Sequence, residues 1–257
     1  EWNAVRKDWT SVQCKFALAL PDVYEVGMSN LGLAILYEIL NRRAEIAAER
    51  VYAPWVDMEE QMRAQGIPLF SLESRRPIAD FDFLGFSLQY EMIYSNVLNM
   101  LDLAGIPLDA KARGADMPFV VGGGPCVYNV EPIAEFFDFF VIGEGEEVLL
   151  EICDAFLAWD SAGREGGRTG FLTRLLAIDG IYVPAFYEPV YDAAGNFREL
   201  RSLHPEARPV IYKRVVRDMN EAMSVEHPIV PYMDIVHNRM MLELFRGCSR
   251  GCRFCQA

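Results

Sequence analysis

No apolar run in this sequence approaches the roughly 20 residues that a bilayer-spanning helix needs, so no membrane segment is expected. The first residues, Glu1-Trp2-Asn3-Ala4-Val5-Arg6, lack the charged-then-apolar order of a secretory signal. A cytoplasmic setting is the resulting expectation. The sequence also lacks an initiator Met, which leaves room for residues upstream. Basic residues are scarce: 24 Lys and Arg against 37 Asp and Glu give a net charge of −13. That balance argues against a broad nucleic-acid-binding surface. Histidine is rarer still, and His204, His227 and His237 read as surface or structural residues. Cys14, Cys126 and Cys153 are scattered and read as reduced thiols, buried as small hydrophobes. There is no internal repeat and no low-complexity tract. With 52% hydrophobic residues, the chain is too apolar for disorder. Its 257 residues suffice for one large domain with appendages.

From residue 15 to about residue 159, short apolar runs alternate with helical patterns. Residues 15–20, 51–53, 83–88, 119–121 and 137–142 read as buried strands. Residues 31–42, about 56–65, 91–104 and 147–159 read as helices. Ser29 and Asn30 can cap the first helix, whose Leu33, Leu36, Tyr37 and Leu40 form one apolar face. Repeated strand, loop and helix predicts an α/β fold: a doubly wound, Rossmann-like parallel sheet with helices on both faces. Such sheets bind ligands outside the carboxyl ends of their strands. Those ends carry residues 22–30, 87–90, 122–125 and 143–146, the polar and Gly-rich loops, which form the predicted pocket rim.

Residues 161–168 read as a boundary loop. A short helix over 171–177 and a strand over 181–183 follow. Residues 186–191 and 197–200 flank Asp192-Ala193-Ala194-Gly195-Asn196, a hairpin signal. The expected organisation is a sheet domain over 1–160, a connecting segment with a hairpin over 161–238, and a final unit over 239–257. That unit begins with a strand at 240–245.

The chemistry concentrates at the end. Cys248, Cys252 and Cys255 have the spacing C-x3-C-x2-C. Three thiolates held this closely by one loop can each ligate one iron of a cubane cluster, leaving the fourth iron open. Gly247 and Gly251 let the backbone turn tightly around it. Residues 239–257 hold Arg239, Arg246, Arg250 and Arg253 against Glu243, a net of +3 in an otherwise acidic chain. A basic loop suits an anionic ligand or the charge of a thiolate-bound cluster; a solvated basic surface is the plain alternative. The rival metal is zinc, which wants four N or S ligands in a closed site, with His237 or a residue beyond Ala257 as the fourth. Three ordinary thiols are the remaining reading.

Arg246-Gly247-Cys248-Ser249-Arg250-Gly251-Cys252-Arg253-Phe254-Cys255, together with Pro21-Asp22-Val23-Tyr24-Glu25-Val26-Gly27-Met28-Ser29-Asn30-Leu31-Gly32 and Val141-Ile142-Gly143-Glu144-Gly145-Glu146, resembles the radical S-adenosylmethionine (radical SAM) proteins that carry an N-terminal cobalamin-binding-type domain. The likeness spans nearly the whole chain. It implies a four-iron four-sulfur cluster on the three cysteines, S-adenosylmethionine on the open iron, and release of a 5′-deoxyadenosyl radical. It marks Phe254 as the aromatic position before the last cysteine and residues 240–245 as the first strand of a radical SAM barrel. It implies an electron donor such as a flavodoxin or ferredoxin, and places the substrate residues beyond this chain.

In the cobalamin-binding domains of that class, the lower face of the corrin meets a D-x-H-x-x-G loop, then a Ser on a later strand, then a Gly-Gly turn. The matching positions are Asp22, Gly27, Ser87, Gly122 and Gly123, followed by Gly124. Tyr24 stands where the class has its His, and a neutral phenol is a poor ligand for cobalt. Two readings stay open: cobalamin bound over an unligated lower face, or a retained fold that has lost the cofactor and serves as a docking module. Ser29 and Asn30 are helix-start residues as well as candidates. Gly143, Glu144, Gly145 and Glu146 are candidates for the groove around the nucleotide tail, although carboxylates at a helix start are favoured in any case. A non-enzymatic zinc or iron–sulfur module is the third reading.

Overall fold

The computed structural model describes residues 1–220, 222, 224–253 and 255. Six strands form one sheet in the order β2-β1-β3-β4-β5-β6: β1 Cys14–Leu20, β2 Ile46–Tyr52, β3 Phe83–Ser87, β4 Phe119–Gly123, β5 Phe139–Val141 and β6 Ile181–Tyr182. The first five pair in parallel and β6 closes the edge antiparallel to β5. The helices are α1 Tyr24–Gly27, α2 Leu31–Arg42, α3 Val56–Gln65, α4 Tyr94–Leu103, α5 Glu146–Ser161 and α6 Gly167–Leu175. The chain turns back after β2, so the crossovers before and after it lie on opposite faces. Accordingly α2, α5 and α6 pack together, while Arg63 and Asn99 tie α3 to α4 through Asp102 and Glu59, both at 2.8 Å. This is the doubly wound sheet the sequence predicts. No described helix is long and apolar enough to cross a membrane.

The core is aromatic. Phe83 is fully buried and meets Phe16, Phe119, Phe139, Phe156 and Phe171, with ring centroids 5.0–6.5 Å apart. Such rings contribute large buried areas plus edge and stacking contacts. They also dictate small residues opposite them: a Cβ on Gly85 would lie 2.6 Å from Phe16.

Strand β2 is longer than the predicted residues 51–53 because its charged middle is buried. Arg50 Nε donates to Glu73 at 2.6 Å, and Glu49 accepts from Trp9 at 2.9 Å and Ser71 at 2.5 Å. Buried charges are tolerated only when paired in this way, and the pairing partners are remote in sequence. The sheet also continues past α5. Phe171 of α6 packs on Phe119 with centroids 4.6 Å apart, and Arg113 and Arg168 grip Asp138 from two sides at 2.8 Å.

Beyond the sheet, β7 Tyr187–Tyr191 and β8 Phe197–Ser202 form the predicted hairpin. Asp192 Oδ1 accepts from the backbone N–H of Ala194 and Asn196 at 2.9 and 2.8 Å, and Gly195 takes φ +81°. This is ordinary turn chemistry. Residues 240–245 form no strand here and are largely exposed. A strand needs a neighbour for its backbone hydrogen bonds, and among the described residues no strand lies beside them.

Candidate functional site

The carboxyl ends of β3, β4 and β5 open into a groove of about 380 Å³ between the sheet, the start of α2 and the start of α5. It gathers Asn30, Ser87, Gly122, Gly123, Gly124, Gly143, Glu144, Gly145 and Glu146, all predicted from sequence. A second pocket of about 200 Å³ adjoins it through Asn30 and Gln89 and holds Asp22 and Ser29. Tyr24 and Gly27 line neither pocket.

Several of these residues have local duties. Asn30 caps α2, its Oδ1 accepting from Leu33 N–H at 2.8 Å. Asp22 Oδ1 accepts from Val23 N–H at 2.8 Å. Ser29 Oγ accepts from the backbone N–H of His237 at 3.0 Å. Ser87 Oγ accepts from Gln89 Nε2 at 2.7 Å, so the wall carries a polar pair. The glycines divide. A Cβ on Gly122 would lie 2.4 Å from Phe140, and one on Gly27 would lie 2.2 Å from Tyr52, so close aromatic packing explains both. A Cβ on Gly123 would meet nothing within 4 Å; this glycine faces open space. Gly143 has φ +106°, and a side chain there would strike the backbone of Arg214, which bridges to it.

Tyr24 is turned inward. Its hydroxyl donates to Glu1 Oε1 at 2.7 Å and accepts from Tyr232 N–H at 3.3 Å. Its ring packs on Tyr52 and Tyr232 with centroids 5.6 and 4.5 Å away. Burial, reinforced by Glu1, raises its pKa, so it stays a neutral phenol. The residue at the class's histidine position therefore anchors the C-terminal segment.

That segment runs as a strap over the carboxyl edge. Val236 N–H donates to Glu25 O at 3.0 Å, and His237 follows on Ser29. The strap ends in Arg246, whose guanidinium lines the groove. Arg246 pairs with Glu243 at 2.8 Å, with Glu144 at 3.4 Å and with Glu146. Hydrogen bonding to Glu243 leads the causes that raise its pKa further, and Glu243's own pKa is lowered by the same contact. Gln89 falls in the predicted rim loop 87–90, whereas Arg246 was placed only in the basic tail and not in the groove. The mixture of a basic tail with a doubly acidic loop was visible, but not that one side chain joins them.

Next to Arg246 lies the cysteine loop. Cys248, Cys252 and Cys255 are exposed and unbridged, whereas Cys14, Cys126 and Cys153 are buried. Gly247 and Gly251 take φ +78° and +65°, so the loop turns where only glycine does so freely. Arg250 N–H donates to Cys248 Sγ at 3.5 Å, and Cys255 N–H donates to Cys252 O at 3.1 Å. Phe254 lies outside the described residues. Elsewhere, Glu38, Glu226 and His227 come close enough to share a cation, but Arg42 already neutralises the two carboxylates at 2.9 Å.

Residues 32–184, more than half of the chain, match the family described as radical SAM proteins, N-terminal. An uncharacterised protein of Methanocaldococcus jannaschii is 23% identical over 244 residues, covering 94% of this chain and 40% of that protein. A solved structure of the radical S-adenosylmethionine methyltransferase TsrM from Kitasatospora setae, with tryptophan substrate and a SAM analogue bound, aligns with a TM-score of 0.40 at 16% identity. That alignment covers 71% of this chain and 29% of the other. The chain thus spans less than half the length of either relative.

Proposed function

We propose, from the premise that this chain belongs to the radical SAM proteins as their N-terminal region, that it supplies the cluster loop and the cofactor-facing domain of a longer radical enzyme. One observation carries the reading. The loop of three exposed thiols begins two residues after Arg246, and Arg246 sits in the groove at the ligand-binding edge of the sheet. A cluster held by that loop would neighbour the groove.

Cys248, Cys252 and Cys255 would hold a four-iron four-sulfur cluster whose open iron takes S-adenosylmethionine. The donor set fits: three accessible thiols, glycine turns at Gly247 and Gly251, and one backbone N–H already given to sulfur. A cluster held there would, once reduced, supply the electron for reductive cleavage of S-adenosylmethionine to methionine and a 5′-deoxyadenosyl radical. The electron would come from a donor protein such as a flavodoxin or ferredoxin. This chain holds the cluster and orients it toward the groove. The residues that enclose the substrate belong to the rest of the protein.

The groove, about 380 Å³, would take part of a second group, the nucleotide tail of a cobalamin. Gly123 leaves its wall open, and Ser87 with Gln89 gives it a polar edge. Tyr24 is engaged elsewhere, so the seat offers cobalt no ligand from the D-x-Y-x-x-G turn. When bound, the corrin supplies a transferable methyl or other group. A second reading takes the sheet domain as a corrin-free docking module; the strap residues Glu243 and Arg246 in the groove favour it.

Titrating the full-length protein with hydroxocobalamin and methylcobalamin, followed by the corrin absorption bands, separates the two. Saturable binding that is unchanged in Tyr24→His supports the cobalamin reading with an unligated lower face. Absence of binding in both proteins supports the docking module. Release of 5′-deoxyadenosine by the full-length protein tests the radical chemistry itself, and zinc in place of iron would count against it.

A further inference from the structure

The residues around Arg246 are solvent-exposed: Leu244 is 82% and Phe245 76% accessible. Arg246 is not. Its side chain is 19% exposed and is surrounded by carboxylates from two separate stretches of sequence. Glu243 lies on its own strand of chain and receives two parallel hydrogen bonds, from Nε and one terminal nitrogen, both at 2.8 Å. Glu144 and Glu146 come from the turn after β5 and approach the two terminal nitrogens. A guanidinium presents five donors in a fixed planar fork, so it can give Glu243 two parallel bonds and still reach two further carboxylates; an ammonium has three donors on one atom and cannot reproduce that bidentate pairing.

Glu144 is shared. Its Oε2 also accepts from the backbone N–H of Val216. Beside it, Arg214 pairs with Glu147 at 2.8 Å and with Glu151 on α5. Val216 and Arg246, far apart along the chain, therefore meet on one carboxylate at the groove. A helix-start preference alone accounts for acids at Glu146 and Glu147. It does not account for Glu144, which precedes the helix and reaches out to the strap.

The structure assigns to Arg246 the role of a positioning residue: its fork on Glu144 and Glu146 pins the cysteine loop to the carboxyl edge of the sheet and fixes the cluster's place beside the groove. This rests on the reading of Cys248, Cys252 and Cys255 as cluster ligands. Two consequences follow. Loosening the fork frees the loop, whether or not iron is present. The intact fork also places the charges of Glu144 and Glu146 near the cluster site, where removing an anion would stabilise the more negative, reduced form.

The test uses the full-length protein, anaerobically reconstituted and also iron-free, with Arg246→Gln, Arg246→Lys, Glu146→Gln and the swap Arg246→Glu with Glu146→Arg. Amide hydrogen exchange over residues 243–253 is expected to quicken severalfold in Arg246→Gln and Glu146→Gln in both preparations. It should return toward wild type in the swap and only in part in Arg246→Lys. The cluster's midpoint potential is expected to shift positive in Glu146→Gln and negative in Arg246→Gln. Fold integrity is checked by exchange over β1 and β3, which should not change. Wild-type exchange and potential in Glu146→Gln, at full iron content, would overturn the assignment. If the wild-type protein takes up no iron, the cluster reading fails, yet exchange in the iron-free protein still decides whether the fork holds the loop.

Discussion

The sheet domain and the strap are held by different physics. Around Phe83, rings from β1, β4, β5, α5 and α6 meet in a buried cluster. Along the strap, Met240, Leu242, Leu244 and Phe245 stay exposed, and polar ties fix it at points: Tyr232 on Tyr24, His237 on Ser29, Arg246 on Glu144 and Glu146. Apolar burial is continuous and collective, whereas a polar tie fixes one position and can be undone by changing one residue. The first region stands on its own contacts. The second is shaped by the first and presents the cysteine loop at its edge.

The comparison is broken most forcefully at its apolar end. Phe83→Ala should cost about 3–5 kcal/mol by removing a ring from the packed cluster, read as a lower urea midpoint. In the 257-residue chain, Leu244→Ala, equally apolar but exposed, should stay within about 0.5 kcal/mol. Equal effects at both sites would mean that the strap carries its own core. The glycines sharpen the contrast between packing and ligand. Gly122→Ala should destabilise by about 1–3 kcal/mol, since the new methyl meets Phe140. Gly123→Ala should leave the urea midpoint almost unchanged and weaken whatever fills the groove, measured by the corrin titration.

Smaller effects are expected at the polar ties. Tyr24→Phe removes the hydrogen bonds to Glu1 and Tyr232 and should cost about 0.5–1.5 kcal/mol. Faster amide exchange should appear near Tyr232 before it appears in β1. The smallest is a pH effect. Burial raises the pKa of Asp82, partly offset by Lys15. A carboxyl that holds its proton more tightly when folded adds stability at low pH, and loses it as pH rises above its ordinary range. Asp82→Asn should therefore gain on wild type as pH rises from about 4 to 7. A variant that instead loses ground to wild type over that range would reverse the assigned sign.

Much of the sheet was legible because apolar strands alternate with amphipathic helices, and because loops at parallel-strand ends bind ligands whatever their sequence. Residues 46–50 escaped: Glu49 and Arg50 look like surface residues until Trp9, Ser71 and Glu73 supply remote partners. In the site, the cysteine loop was legible from spacing, and the rim from glycines and carboxylates. Tyr24 was not, since its role comes from Glu1 and Tyr232, far away in sequence. Gly122 was identified for one reason and is required by another, the ring of Phe140. Arg246 joins stretches about a hundred residues apart, and local pattern carries no trace of that.

The most direct measurement is iron and acid-labile sulfide per chain in the full-length protein, purified and reconstituted without oxygen, beside Cys252→Ala. The account predicts about four irons and four sulfides at this loop, lost in Cys252→Ala while the sheet domain's urea midpoint is unchanged. Bound zinc, or iron that survives Cys252→Ala, would contradict it.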